Sequence, residues 1–370
     1  MAEKYTAILI DTSVYEQYGL RMEKGLLGKL TQFSRVETKL LLPDVIYSEV
    51  RKHLDVKIKA SKVSLEKALD EASDHLFFEG SELNCARKSL IEGKEIEGLG
   101  KSRIDKFAKA TAALMLETGE YVSVPELLRS YFTSKPPFAE TGKKKSEFPD
   151  AIILMAVQSW AEQNQENVLA VARDEDWARF CEHSKFIHYE TDLAKALAYF
   201  NEETAPYALT DNLERALNEG VAQKFIDDIA EELNSALSNF APYQEANSYL
   251  YWEPGGSSGG FKHFEFSDNR FSVIDKDENR VVLEAYADIT VYIDGDFSLS
   301  VYDSIDKDHV FMGSVTKRVV ETFTSAILIT ISGELTGPIE NLIVEEVEVI
   351  EKPDLIDFGE LEMEYQPDYD

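Results

Sequence analysis

Apolar and polar residues follow two different patterns along this chain, and the change falls near residue 200. The apolar runs of the first part predict four strands, at Tyr5–Ile10, Lys39–Leu42, Asn167–Ala172 and Phe186–Tyr189. Helical spacing predicts helices at Leu20–Phe33, from Asp44 to about Phe78, at Ser102–Glu117, after Pro149 and at Leu193–Phe200. Strands that alternate with helices predict a mainly parallel α/β sheet, in which ligands bind at the carboxyl ends of the strands.

The pattern after residue 200 predicts a helical segment followed by strands. Helical spacing extends from about residue 210 to 238, and the Gly/Ser-rich stretch Gly255–Gly260 interrupts it. Strand-forming residues alternate with polar ones over about 261–350, and Asp294-Gly295 is typical of a tight hairpin turn. We therefore expect two domains, 1–204 and 205–370. The second should be an antiparallel, β-rich α+β domain that ends in an acidic tail.

Composition narrows the class of protein. The 370 residues are 44% hydrophobic, which is enough apolar surface for packed cores. Apolar runs are too short to span a bilayer, and the first residues do not have the pattern of a secretory signal. The two cysteines, Cys85 and Cys181, indicate neither a zinc ribbon nor a disulfide framework. These features predict a cytoplasmic protein with no membrane segment.

Charge is distributed unevenly. The formal net charge is −31, and residues 201–370 contain 10 Lys and Arg against 37 Asp and Glu. Because so acidic a surface repels phosphate groups, any contact with nucleic acid should be made by the first domain. The acidic half has three interpretations: it confers solubility, it binds a basic protein partner, or it mimics nucleic acid and shields the first domain.

Acidic residues stand where the predicted fold would bring them together. Asp11 and Asp174 each follow an apolar strand, and Asp150 lies in the first turn of a helix, where the helix dipole favours negative charge. Glu49 lies one turn into the helix that follows the second strand. Carboxylates that converge raise one another's pKa unless a cation lies between them, and oxygen ligands select Mg²⁺ or Mn²⁺ over zinc.

Four segments carry a resemblance to a known family: AILIDTSV, PDVIYSEV, EFPDAIIL and LAVARDEDW. In order and in position, they resemble the acidic motifs of the PIN-domain nuclease superfamily. The long helical insertion between the second and third motifs resembles a larger bacterial PIN-like subfamily. The resemblance covers about residues 5–200 and implies a PIN-like parallel sheet flanked by helices. It leaves the second half unassigned.

The resemblance also implies roles for individual residues. It implies that Asp11, Glu49, Asp150 and Asp174 are the catalytic, metal-binding carboxylates, that Asp176 is a further or substitute ligand, and that the Thr12 and Ser13 hydroxyls lie near the metal. The fourth motif departs from the family pattern, because Ala172-Arg173 stands where relatives commonly have a hydroxyl residue. The division of roles between Asp174 and Asp176 is therefore left open.

The resemblance implies either a ribonuclease that acts on single strands or a structure-directed nuclease, and the mechanism would be metal-assisted hydrolysis of phosphodiester bonds. Single-stranded RNA is the expected substrate. The architecture resembles toxin or defence enzymes, with the acidic domain as regulator, and a homo-oligomer is compatible with it. The alternative is a PIN-like scaffold that binds partners and cleaves little. A phosphatase is disfavoured because Ser13 stands where a second Asp is needed, and no phosphate-binding GxxxxGK[ST] loop is present.

Individual residues also have simpler interpretations. Each acid is compatible with a helix cap or a solvated position, and the basic run Lys143–Lys145 is compatible either with phosphate contact or with a solvated loop. The same two interpretations apply to Arg173. His183 and His188 do not form a known ligand pair, so we expect surface or core roles for both.

Overall fold

The computed structural model describes residues 5–76, 80–92, 98–138, 148–201, 207–277, 279–305 and 307–362. The chain divides into two compact units, Met1–Phe200 and Asn201–Asp370. Lys143–Lys145 lie outside the described residues. Within the described part of the chain, no helix is both long and apolar enough to cross a membrane.

The first unit alternates strands and helices, as the sequence predicted. Its strands are β1 (Ala7–Ile10), β2 (Lys39–Pro43), β3 (Leu114–Leu116), β4 (Val168–Val171) and β5 (Ile187–Glu190). Its helices are α1 (Thr12–Gln17), α2 (Gly25–Lys29), α3 (Asp44–Leu76), α4 (Gly80–Arg87), α5 (Leu99–Ala110), α6 (Thr118–Tyr121), α7 (Val124–Phe132), α8 (Phe148–Asn164), α9 (Glu175–Cys181) and α10 (Leu193–Asn201). A 3₁₀ helix covers Leu30–Arg35, and a short π-helix covers Lys88–Glu92.

The five strands form one parallel sheet in the order β3-β2-β1-β4-β5. The chain leaves β1 toward β2 on one side, and β4 lies on the other side of β1. The boundary between β1 and β4 is therefore the point where the winding direction reverses, and in open parallel sheets ligands bind at this point, beyond the carboxyl ends of the strands.

Burial explains why the two central strands are uniformly apolar. All four residues of β1 and all four of β4 are buried, as expected for a sheet that is covered on both faces. On α8, Ile153, Ala156, Val157 and Trp160 form the buried stripe that the sequence predicted. The predicted fold class, a helix-flanked PIN-like parallel sheet followed by a β-rich region, is confirmed.

Two helix predictions in the first unit were wrong in detail. The predicted helix Leu20–Phe33 is broken: Leu20 has a left-handed φ of 57°, and only Gly25–Lys29 is α-helical before the 3₁₀ turn. The predicted helix Ser102–Glu117 ends at Ala110, where Ala112 adopts a φ of 50°. The chain then forms β3, which pairs with β2, because pairing at the sheet edge outweighs the helical preference of this stretch.

The start of α3 is held to the segment after β3. The Asp44 carboxylate Oδ1 accepts hydrogen bonds from the Val45 amide at 3.0 Å, the Thr118 amide at 3.1 Å and the Thr118 hydroxyl at 2.7 Å. Asp44 therefore satisfies an amide at the start of its own helix and also fixes the position of α6.

The second unit begins with two helices and continues as strands. The helices are α11 (Tyr207–Asn218) and α12 (Gln223–Ala236). The strands are β6 (Tyr243–Asn247), β7 (Tyr251–Phe266), β8 (Ser272–Lys276), β9 (Arg280–Asp303), β10 (Asp308–Gly333), β11 (Leu342–Val349) and β12 (Leu355–Glu360). A 3₁₀ turn covers Ile339–Asn341.

A long β9–β10 hairpin is the centre of this unit. The main sheet has the order β11-β10-β9-β7, with β8 also paired to β9, and its pairings are antiparallel. A separate parallel pair joins β12 to β6. Alternate residues of β9 are buried, and they pack with Phe225, Ile229 and Leu233 of α12 in one hydrophobic core.

The two glycine signals in the second unit were misread. Gly255–Gly260 lies inside β7, and Asp294-Gly295 lies inside β9 rather than at a turn. A Cβ built on Gly295 would lie 2.6 Å from the Phe358 ring, so glycine is required here for close packing. A Cβ on Gly259 would meet the Phe240 ring at 2.7 Å in the same way. The actual turn joins Asp303 to Asp308.

Candidate carboxylate site at the edge of the parallel sheet

Asp11 is the first residue after the central strand β1 and the N-cap of α1. Its amide donates to the Val171 carbonyl at 2.9 Å, which continues the pairing of β1 with β4 by one residue. Its carboxylate Oδ2 accepts hydrogen bonds from the Ser13 amide at 3.0 Å and from the Ser13 hydroxyl. The side chain is thereby fixed at the point where the winding reverses, and Asp11 is only 7% exposed.

The surroundings of the Asp11 carboxyl disfavour its ionised form. Burial raises the pKa of the Asp11 carboxyl above its ordinary value, the Ser13 and Thr12 hydrogen bonds oppose this rise, and the negative charge of Glu49 adds to it. Glu49 lies on α3, and its Oε2 accepts a hydrogen bond from the Thr12 hydroxyl at 2.8 Å. Thr12 and Ser13 thus orient the two carboxylates, and Asp11 and Glu49 repel each other.

Asp174 follows β4 after two residues and caps α9. Its Oδ1 accepts from the Asp176 amide at 2.8 Å, and its carbonyl accepts from the Tyr189 hydroxyl at 3.3 Å. Burial, followed by the negative charge of Asp174, raises the pKa of Tyr189, and Asp11 acts in the same direction. Asp11 and Asp174 therefore lie at the same edge of the sheet, and the charges of both raise the pKa of the Tyr189 hydroxyl.

Asp150 lies in the first turn of α8, as the sequence predicted, and contacts α9. Its Oδ1 accepts a hydrogen bond from the Trp177 indole Nε1 at 3.1 Å. Trp177 is fully buried, and its hydrogen bond to Asp150 connects α8, the helix before β4, to α9, the helix after it. Asp150 and Asp174 are thus connected through α9.

Asp176 has a different environment from the other acids. It is 1% exposed and forms an ion pair with Arg179, one turn further along α9. Arg173, by contrast, is exposed. His183 bonds to the Arg179 carbonyl through Nδ1 at 2.9 Å, and the His188 ring packs on Tyr5 at 5.2 Å between centroids.

Three aromatic residues near these acids were missed by the sequence reasoning. They are Trp177, Tyr189 and Tyr15. Tyr15 lies one turn after Asp11 and is buried, and its hydroxyl makes no hydrogen bond to other described residues. Burial and the charge of Asp11 raise its pKa. For Trp177, the available signal in the sequence was its position three residues after Asp174, which places it on the same short helix that Asp174 caps.

The structure brings some of the predicted acids together more closely than others. Asp11 and Glu49 form an interacting pair, and Asp11 and Asp174 follow neighbouring strands. Among the residues that the structure describes, no three His, Cys, Asp or Glu side chains are grouped so that they could hold a metal ion. Chemically, the site consists of carboxylate oxygens, all of them hydrogen-bond acceptors, at the partly buried carboxyl edge of the parallel sheet.

Comparison with known proteins gives one positive result. A family model with the description "PIN domain" matches residues 8–177, which include Asp11, Glu49, Asp150 and Asp174. Neither the curated proteins nor the solved structures include a match to this chain. The PIN domain is a nuclease-like fold. The first part of the chain, residues 8–177, therefore matches the PIN-domain family, and the β-rich second part lies outside the match.

Proposed function

We propose that the PIN domain is a nuclease that hydrolyses phosphodiester bonds with Mg²⁺ or Mn²⁺, and that its substrate is single-stranded RNA. The observation that carries this proposal is the buried Asp11 carboxylate at the winding reversal, with Glu49 beside it. A carboxyl whose pKa is raised by burial and further by the charge of a second acid, at the expected ligand position of a PIN domain, has a functional rather than a structural explanation.

The donor set suits a hard divalent cation. Asp11, Glu49, Asp150 and Asp174 offer only carboxylate oxygens, which Mg²⁺ and Mn²⁺ prefer. A cation beside Asp11 and Glu49 would offset both the burial and the mutual repulsion that raise the pKa of Asp11. In this proposal Asp11 and Glu49 hold the cation, and Asp150 and Asp174 complete the acidic edge. Asp176 supports α9 through its ion pair with Arg179.

The residues of the chain have separate tasks in this proposal. A bound cation would lower the pKa of a water molecule and stabilise the charge that develops on the phosphate. Ser13 and Thr12 orient the Asp11 and Glu49 carboxylates, and Trp177 orients Asp150. Because these partners fix the acids before substrate arrives, little reorganisation is needed during the reaction.

The proposed substrate follows from charge as well as from family. The first 200 residues contain 28 Lys and Arg against 32 Asp and Glu, whereas the remainder is strongly acidic. Nucleic acid should therefore contact the first unit. RNA is proposed over DNA from the resemblance to PIN nucleases.

The test is cleavage of a labelled single-stranded RNA and of a DNA of the same sequence, in Mn²⁺ and in EDTA. Changing residues that only orient metal ligands commonly costs about 10- to 100-fold. Asp11→Asn, which alters a ligand itself, should lose at least that much activity. Glu175→Gln, an exposed acid of α9, is the matched control and should cleave like wild type. Equal rates for wild type and Asp11→Asn would exclude this site.

A second candidate function is a scaffold that retains the PIN fold and cleaves little. It is favoured by the lack of any three-ligand group among the described residues and by the local hydrogen bonds of the acids. The two proposals differ in cation binding. A scaffold would show the same Mn²⁺ affinity in wild type and Asp11→Asn, and both would leave RNA intact.

We further propose that the acidic second unit restrains the nuclease, as in a toxin or defence enzyme. Residues 201–370 carry 37 acidic against 10 basic residues, so they can occupy or repel the approach of a polyanion. Removing residues 205–370 should raise the cleavage rate, provided that circular dichroism shows the remainder folded. A folded, truncated chain with an unchanged rate would exclude restraint. Binding to a basic protein partner and self-association are the remaining parts of this proposal.

A further inference from the structure

A cavity of about 640 Å³ lies in the first unit, away from the acids described above. Its walls come from α6, α7, α8 and α9 and from the turns that follow α7 and α9. Its volume is in the range of small-molecule sites, which combine aromatic surface with a few placed polar groups. Here the aromatic surface is supplied by Tyr121 and Phe180, and the charged groups include Glu126, Glu162 and Lys135.

One carboxylate of the cavity is aligned by a chain of hydrogen bonds. The Ser184 hydroxyl accepts from the Phe186 amide at 3.1 Å and the Ile187 amide at 2.9 Å, and it donates to the Gln158 side-chain oxygen. The Gln158 Nε2 in turn donates to Glu162 Oε1 at 2.6 Å. Both ends of the Gln158 amide are therefore engaged, and Glu162 is the acceptor at the end of the chain.

The cavity shares two helices with the carboxylate site. On α8, Met155 of the cavity follows Asp150 by five residues, an axial distance of about 7.5 Å. On α9, Phe180 follows Trp177, the partner of Asp150, by three residues, about 4.5 Å. Glu162 follows Asp150 by twelve residues on α8, an axial distance of about 18 Å, so a single-stranded chain with a phosphate at the acidic edge would reach this carboxylate with a base several nucleotides away.

We propose that this cavity is a subsite for a guanine base of the substrate, an assignment that rests on the nuclease proposed above. Guanine presents an imino and an amino N–H side by side, and a carboxylate such as Glu162 accepts both. Adenine and cytosine place a ring acceptor next to their amino group, and uracil flanks its single imino donor with two acceptors, which a carboxylate repels. Phe180 and Tyr121 provide rings for stacking, as in other base pockets.

The test measures binding of GMP, AMP, CMP and UMP to the full chain by ligand-observed NMR, in EDTA so that no cleavage or cation binding contributes. GMP should bind at least about tenfold more tightly than the other three. Glu162→Gln should abolish this preference, and Glu175→Gln, the matched charge change outside the cavity, should retain it. Phe180→Ala should weaken all four by about tenfold.

Equal affinity for the four nucleotides, no measurable binding, or a guanine preference that survives Glu162→Gln would overturn the proposal. Glu162 is exposed, so its glutamine variant should fold even if Phe180→Ala does not. Asp11→Asn separates this proposal from the previous one, because it should lose cleavage and retain the GMP preference. A wild type that prefers GMP but leaves RNA intact would support the guanine site and exclude the nuclease.

Discussion

Replacing Asp11 with asparagine should make the PIN domain more stable at neutral pH in the absence of metal. Burial and the charge of Glu49 raise the pKa of the Asp11 carboxyl, so the folded state holds this proton more tightly than the unfolded chain. Ionisation at neutral pH therefore destabilises the fold by about 1.4 kcal/mol for each pKa unit of the rise. Asparagine has no charge to bury, and it removes this term.

The role of Asp11 as the N-cap of α1 gives a second, independent contribution to the free energy of unfolding. Asparagine caps helices about as well as aspartate, and its side-chain oxygen can accept from the Ser13 amide as Oδ2 does. Alanine has no such acceptor, and its substitution at an N-cap costs about 1 kcal/mol. The expected order of stability at neutral pH is therefore Asp11→Asn above wild type, with Asp11→Ala about 1 kcal/mol below Asp11→Asn.

The pH dependence fixes the sign of the effect. A raised folded-state pKa means that wild-type stability falls, relative to Asp11→Asn, as pH rises from the ordinary carboxyl range through the raised pKa. The gap between the two proteins should be largest at neutral pH and should narrow toward pH 4, because the carboxyl becomes protonated in both states only as pH falls below its ordinary pKa of about 3.9.

The assay is urea unfolding followed by tryptophan fluorescence. The chain has three tryptophans, of which Trp160 and Trp177 lie in the PIN domain. A Trp252→Phe background therefore makes the signal specific for the PIN domain, which is necessary because two units need not unfold together. Adding Mn²⁺ should stabilise wild type, by about 2.7 kcal/mol at 100 times its Kd, and should stabilise Asp11→Asn less. Lower stability of Asp11→Asn at neutral pH, with the same difference at pH 4, would refute the reasoning.

Three further substitutions test other contacts. Trp177→Phe removes the 3.1 Å hydrogen bond to Asp150 and leaves a cavity in place of the larger ring, so it should cost more than about 1 kcal/mol of unfolding free energy and slow RNA cleavage; urea titration and a cleavage assay measure both. Gly295→Ala places a Cβ 2.6 Å from the Phe358 ring, so calorimetry should show the second unit destabilised by about 1–3 kcal/mol; an unchanged transition would contradict the packing role of this glycine. Asp44→Ala leaves the amide and hydroxyl at the start of α6 without their acceptor, and a loss of about 1–3 kcal/mol in urea unfolding is expected; an unchanged midpoint would contradict it.

The acidic edge could be predicted because its signals are local. Asp11 and Asp174 follow strands whose every residue is buried, and such uniformly apolar runs are visible in the sequence. The position of β4 beside β1 could not be predicted, because strand order depends on contacts between distant segments. The hydrogen bond from Trp177 to Asp150 is of the same kind, since it joins residues 27 positions apart.

The errors in the second unit have one physical cause. Asp294-Gly295 has the composition of a hairpin turn, but the pairing of β9 with β7 and β10 on its two sides keeps this stretch extended. Glycine is needed there because Phe358 packs against the backbone, a requirement that no local window of sequence contains. The same holds for Gly259 against Phe240. Tertiary packing therefore overrides turn propensity where a strand is covered closely.

The acids of the PIN domain stabilise the fold in addition to their proposed catalytic role, so their presence does not by itself show that the domain is an active nuclease. Asp11 and Asp174 cap helices, and Asp150 accepts from a buried indole, so each would be useful to the fold without any cation. Retention of these residues is therefore weak support for catalysis. Asp11 differs from a simple cap, because burial and the charge of Glu49 raise its pKa, and a cap needs neither burial of its charge nor a second acid beside it. A stabilisation by Mn²⁺ that depends on Asp11 and Glu49 together is consequently the observation that separates a nuclease site from a set of helix caps.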